Sequence, residues 1–256
     1  MLENLLPGVP SDRIEAIYGG APGNEIDSGK FASSESSAAL VANTFGFFIH
    51  RWHLLPPLPG TERDGWPATA GELEQIVRFP WRGGRHPCLD VLLRTTGALI
   101  GIESKRYEPF RSHHRTSMSS AFLRPVWGDR MKGYQMIRDD VRGETSCFRH
   151  LDAGQLVKHA LALRHAAKVS IGEPEIRPVL VYLYSEPDRW MNSDRRMSPD
   201  EIMVHRREVR SFADLVAEDE VRFVPLRYAD LLDSWSLDHD PRVRDHAAAV
   251  RACFQV

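Results

Sequence analysis

Residues 87–105 read PCLDVLLRTTGALIGIESK, and the alternation inside this stretch sets the expected fold. Leu89, Val91 and Leu93 recur at every second position, as do Ile100 and Ile102, on either side of a Thr95-Thr96-Gly97-Ala98 break. Successive side chains of a strand point to opposite faces, so the pattern predicts two strands joined as a β-hairpin. With Thr96-Gly97 as a two-residue loop, Thr95 faces Ala98, Arg94 faces Leu99, Leu92 faces Gly101 and Asp90 faces Glu103. That last pair is then directly cross-strand, with Cβ atoms about 5 Å apart. Lys105 lies two residues beyond Glu103 and shares its face, while the alternating apolar residues take the other. Gly101, opposite Leu92 on the carboxylate face, is expected to leave room for a substrate.

Working outward, residues 1–31 are rich in glycine and proline and read as an irregular arm with one short helix. A helix is expected from Ser33 or Ser34, either of which supplies a capping hydroxyl, through AALVANTFGFF, with Leu40, Val41, Phe45 and Phe48 on its apolar face. After the loop LLPPLPGTERDGWP, the segment LEQIVRFPW (73–81) reads as a strand, although Thr69 and Glu72 also suit a helix start. Beyond the hairpin, helices are expected near 129–140 and 152–168, and PVLVYLY supplies a buried strand at 179–184. The last third alternates helix, strand, helix, with a final helix opened by Asp240-Pro241. These elements predict one α/β domain over 1–256: the arm, a core of about 32–185 with a mixed central sheet between helices, and a C-terminal extension, 186–256.

The bulk chemistry excludes several classes. No apolar run approaches the roughly 18 residues of a membrane span, and no secretory leader opens the chain, so a cytoplasmic protein without a membrane partner is expected. Cys88, Cys147 and Cys253 are far apart and odd in number, and they read as reduced residues; no His/Cys spacing fits a zinc site. The net charge is only -2, but between Arg78 and Lys132 eleven basic residues meet four acids, a net +7. Two of those acids are Asp90 and Glu103. A basic stretch around a carboxylate pair suits a phosphodiester substrate, since phosphate contacts supply most non-specific affinity. Hydrolysis of such a bond needs an activated water and stabilised charge on phosphorus, which one or two Mg²⁺ ions supply. Mg²⁺ is typically held by one or two carboxylates, the role expected of Asp90 and Glu103, and Mn²⁺ is expected to substitute. Lys105, while protonated, would neutralise the phosphate and orient the attacking water. With five lysines in the chain, Glu103-Ser104-Lys105 is the one acid-x-Lys triplet. The alternative is an ordinary solvated Glu/Lys strand pair.

The residues HPCLDVLL and IGIESK, with Pro87 three positions before Asp90, resemble the PD-(D/E)xK nuclease superfamily. The order helix, strand, hairpin, helix, strand over about 32–185 also resembles that family's αβββαβ core. SSESSAALVANTFGFF, ESKRYEPF and QLVKH extend the resemblance to a restriction-endonuclease-like group of bacterial proteins. The resemblance implies a metal-dependent nuclease, with Asp90 and Glu103 as ligands and Lys105 as the catalytic lysine; no strict Pro-Asp dipeptide is present. Its substrate would be nucleic acid, DNA before RNA, and a homodimer is left open. Gln155 matches a helix position that supports the site in many members, and also suits a capping partnership with Asp152. Glu35 matches the first-helix glutamate of some branches, and also suits a helix N-terminus. Arg106, Arg111 and Arg115 are expected to contact phosphates. His86, His113 and His114 read as loop or phosphate-contacting residues. A nucleic-acid-binding module that keeps the fold without catalysis is the second reading.

Overall fold

The computed structural model describes residues 4–111, 116–169, 176–193 and 195–256. Its centre is a five-stranded mixed sheet in the order β1-β2-β3-β4-β5. Ala70–Ile76 (β1), Cys88–Arg94 (β2) and Ala98–Lys105 (β3) form an antiparallel meander; Arg177–Tyr184 (β4) and Arg222–Arg227 (β5) add in parallel. Near the turn the hairpin register is the expected one, with Arg94 opposite Leu99, Leu92 opposite Gly101 and the Thr95 N–H donating to the Ala98 carbonyl at 3.0 Å. The recorded ladder ends at Val91 with Ile102, short of the expected Asp90–Glu103 pair, and Leu89 faces the core opposite to that of Val91 and Leu93. Parallel pairing of β3 with β4 requires a crossover, and the chain between them supplies two helices.

The helices divide between the two faces. Ser11–Gly20 (α1), Ser37–Gly46 (α2), Tyr228–Ser236 (α6) and Pro241–Phe254 (α7) contribute to one core, with Val91, Leu93, Ile100, Ile102, Val179 and Val181 from the sheet. Lys132–Arg142 (α3), Ala153–Val169 (α4) and Pro199–Leu215 (α5) contribute to the other, against Leu89, Leu99, Leu180 and Tyr182. A strand buried on both faces must be apolar at nearly every position, which is why RPVLVYLY shows no alternation. No helix among the described residues is long and apolar enough to cross a membrane.

Several local expectations are corrected. The first long helix begins at Ser37, capped by the Ser36 hydroxyl, which accepts from the Ala39 N–H; Glu35 therefore precedes the helix. The strand expected over 73–81 is displaced to Ala70–Ile76, and Val77–Trp81 leaves the sheet to carry Phe79 into the α4-side core. Thr69 and Glu72 start no helix. Gly101 leaves no room for substrate: a Cβ there would lie 2.7 Å from both Leu89 Cδ1 and Leu163 Cδ1. It is the point at which α4 packs on the hairpin. The 186–256 segment is no appendage either, because β5 extends the sheet and α6 and α7 complete a core face.

Candidate functional site

The sheet edge formed by the end of β3 and the start of β2 gathers the ionisable groups. Past the pairing of Val91 with Ile102, the Asp90 carboxylate takes over from the strand ladder, its Oδ2 accepting from the Ser104 N–H at 2.6 Å. Strand alternation then sorts the triplet. Ser104 turns toward the α6 side, where its hydroxyl meets Tyr228 Oη at 2.7 Å. Glu103 turns toward α4, and Lys105 follows it, Nζ standing 2.5 Å from Glu103 Oε1. The other carboxylate oxygen, Oε2, faces His159 Nδ1 of α4 at 3.1 Å, within ion-pair range but poorly aligned for a hydrogen bond.

Glu74 is the third carboxylate of the cluster. It sits mid-strand in β1 with φ +52°, a left-handed conformation rare for a residue with a Cβ, between the pairs Leu73–Val91 and Gln75–Leu89. Beside it β2 changes its inward face: Leu89 belongs to the α4-side core, whereas Val91 and Leu93 belong to the opposite one. The Cys88 thiol lies 3.5 Å from Glu74 Oε2.

The electrostatics of the group are unequal. Burial pushes the Glu103 carboxyl up, but Lys105 and then His159 outweigh it and hold Glu103 at about 2. Asp90 goes the other way: burial, then the charges of Glu103 and Glu74, lift it well above the usual carboxylate range. Burial also raises Glu74 to about 7, with Glu103 and Glu25 adding to the effect. Burial disfavours the Lys105 ammonium, yet Glu103, Glu108 and Asp90 more than restore it, so the lysine stays protonated. One lysine thus faces three carboxylates, and two of them, Asp90 and Glu74, are held toward their protonated forms.

A divalent ion would favour the ionised forms of those two acids, and the donor set bears on whether one fits. Among the described residues, no group of three or more His, Cys, Asp or Glu side chains is arranged to hold a metal. Mg²⁺ asks for less, one or two carboxylates with the remaining positions taken by water and substrate oxygens, and Asp90 and Glu103 are the carboxylates that could be offered to it. Lys105 and His159 already engage both Glu103 oxygens, so an ion must compete with them.

The outlying candidates fall elsewhere. Gln155 is part of the α4 N-terminus: its N–H donates to Asp152 Oδ1 at 2.9 Å, and among the described residues its side chain makes no hydrogen bond. The residue one turn further on, His159, is the one that reaches Glu103. Glu35 is buried; its Oε2 pairs with Arg111 Nη2, and its Oε1 accepts from the Asn192 N–H at 3.3 Å, tying the N-terminal arm to two loops. Arg111 spends one face of that pairing on Glu35 and rests over the Trp190 ring at 5.6 Å. Arg106 is not on the phosphate surface at all. It is 1% exposed, and donates to the Ser34 and Phe254 carbonyls at 2.5 Å each. Its position next to Lys105 on a strand end sends it to the opposite side of the chain. Arg115, His113 and His114 lie outside the described residues. His86 is a loop residue, its Nδ1 accepting from the Phe79 N–H at 3.1 Å. All three cysteines are free.

The sequence reading singles out neither Glu74 nor His159. His159 had a signal: it lies three residues after Leu156 and four before Leu163, a polar side chain inside the apolar stripe of α4. Glu74 had none, because its placement depends on a backbone conformation that glutamate rarely takes. No family model, no curated protein and no solved structure matches this chain.

Proposed function

We propose that the chain is a metal-dependent nuclease that hydrolyses phosphodiester bonds, a DNA endonuclease of restriction, repair or mobile-element context. The observation that carries this reading is the Asp90 carboxylate bonded to the N–H of Ser104, the residue between the paired Glu103 and Lys105, at one end of an antiparallel hairpin inside a mixed sheet. The order α2, β1, β2, β3, α3, α4, β4, which carries one helix more than an αβββαβ core, supports it. Asp90 and Glu103 would hold Mg²⁺, or Mn²⁺ in its place. The bound ion would stabilise charge on the phosphoryl oxygens and activate a water near neutral pH. Lys105, protonated and 2.5 Å from Glu103, would release that oxygen to the ion and donate to the scissile phosphate instead. His159 would hold the Glu103 carboxylate in place while this exchange occurs.

A nucleic-acid-binding module without catalysis is the second reading, and one observation favours it: both Glu103 oxygens are already engaged by side chains of the chain itself. Incubation with plasmid, linear and single-stranded substrates under Mg²⁺, Mn²⁺ or EDTA, alongside calorimetric Mn²⁺ titration, separates the two. Asp90→Ala and Glu103→Ala should lose both metal affinity and cleavage. Lys105→Ala should lose cleavage by several orders of magnitude while binding Mn²⁺ at least as well as wild type, because Glu103 Oε1 is freed. A wild-type protein with no divalent-metal affinity, with or without DNA, ends the nuclease reading.

A further inference from the structure

A second surface stands apart from the carboxylates. The β1–β2 loop, 77–87, reads VRFPWRGGRHP: three arginines, two aromatics and no acid. It folds back over the C-terminal half of α4 and encloses a groove of about 750 Å³, lined by Arg78, Phe79, Trp81, Arg82, His165 and Val169 among others, again without an acid. Arg78, Arg82 and Arg85 are exposed, and among the described residues none of the three makes an ion pair.

The aromatic floor is a packed cluster. Trp81 stacks on Phe79 with centroids 4.7 Å apart and planes 19° from parallel, while Phe122 and Trp127 meet it edge-on at 5.6 and 5.5 Å. Phe79 itself is buried against α4-side core residues. The indole is half-buried, and the exposed Arg124 rests its guanidinium 5.1 Å from the ring centroid. A planar cation on an exposed side chain is thus the present neighbour of a fixed aromatic plane. Gly83 and Gly84, both left-handed, turn the loop tip, and a Cβ at either would meet nothing within 4 Å. The tip is open to solvent and to a ligand.

We propose that this groove binds an unpaired stretch of nucleic acid, with a base stacked on Trp81 and the flanking phosphates on Arg78 and Arg82. Fixed aromatic planes beside unpaired arginines suit a strand whose bases are free to stack; a duplex keeps its base faces covered. The guanidinium of Arg124 is displaced from the ring by the base and moves to the neighbouring phosphate. His165, in the groove, is six residues along α4 from His159 at the carboxylate cluster, about 9 Å of helix. The two histidines point about 120° apart around the helix, so a strand reaching both sites must wrap α4, and such a strand would make the protein a nuclease for single-stranded or flapped substrates. The identity of the polyanion rests on the nuclease reading; the groove itself does not.

The test is fluorescence anisotropy in EDTA, so that cleavage plays no part, using labelled oligo-dT, oligo-U and a blunt duplex of equal length. The variants are Trp81→Leu and, because that change touches the aromatic cluster, the surface pair Arg78→Ala with Arg82→Ala. Wild type should prefer the single strands. Trp81→Leu should weaken their binding by about five- to hundred-fold, and the arginine pair should flatten the salt slope by about 1.4. Wild-type binding with unchanged affinity and slope in the variants overturns the groove and leaves the nuclease reading standing. Equal binding of duplex and single strand overturns the preference for unpaired bases. Binding of no nucleic acid overturns the groove, while the nuclease reading still stands or falls on cleavage and Mn²⁺ titration. Groove-dependent binding without metal-dependent cleavage keeps the groove and removes the nuclease. The two single strands, compared, separate DNA from RNA.

Discussion

Lys105 and Arg106 are adjacent cations with opposite fates, and the strand end explains why. Lys105 follows Glu103 to the α4 side, while Arg106 is turned inward, its guanidinium between the Tyr107 and Phe254 rings. Arg106→Ala should leave two buried carbonyls without donors and cost about 2–4 kcal/mol in urea unfolding, with the salt slope of nucleic-acid binding unchanged. Unaltered stability with weakened binding would return Arg106 to the phosphate surface. His159 is a positioning residue, acting through Glu103. His159→Leu should lower kcat about ten- to hundred-fold with KM little changed, the usual effect of removing a partner that orients a ligand. His159→Asn puts an amide nitrogen near the place of Nδ1 and should recover part of that loss. Equal kcat in the Leu and Asn variants would reduce His159 to a packing role.

At the scale of elements, the contact between α4 and the hairpin positions the site. Leu163 and Leu89 close over Gly101, and one turn back along α4 the same face delivers His159 to Glu103. The helix is started by Asp152, whose Oδ1 accepts from the Gln155 N–H and whose Oδ2 accepts from Thr116 at 2.6 Å. Gly101→Ala drives a methyl into both leucines and should cost about 1–3 kcal/mol, since a packed interior tolerates little extra volume. Leu163→Ala removes the obstruction, so the double variant should be more stable than the sum of the single changes implies. Strict additivity in chemical denaturation would mean that α4 does not rest on this glycine.

For the whole molecule, stability depends on two cores pressed against one sheet, and the α4-side core encloses a histidine. His205 of α5 is fully buried, its Nε2 3.0 Å from Tyr182 Oη and its ring edge-on to Tyr184. Burial, then His150 and Arg206, push its pKa down to about 3. The unfolded chain takes up a proton near pH 6.5, whereas the folded chain resists until about pH 3. His205 therefore costs nothing above pH 6.5, and stability falls as pH drops from there toward 3, at up to about 1.4 kcal/mol per pH unit. His205→Gln keeps an acceptor for Tyr182 but cannot titrate. Its stability should fall less steeply than wild type between pH 6 and 4; parallel curves would mean that His205 is protonated in the folded state.

The hairpin and its register were legible in residues 87–105, because strand pairing is a local matter: alternation and a two-residue turn leave one alignment that buries Val91, Leu93, Ile100 and Ile102 together. The α/β order was legible in the succession of apolar segments, and the Glu103–Lys105 pairing in strand alternation; Asp90 lies just past the last recorded strand pair, Val91 with Ile102, and is held there by the Ser104 N–H. The capping of α4 by Asp152 was legible for the same reason. What required the tertiary structure was every placement that depends on a distant element. His159 meets Glu103 because α4 docks on Gly101, Arg106 is buried because α7 ends beside it, and Glu35 is spent on Arg111. Glu74 reaches the carboxylates only through a left-handed residue in an edge strand. A sequence displays local periodicity because backbone geometry imposes it residue by residue; which side chains from separate elements finally touch is decided by how the elements pack.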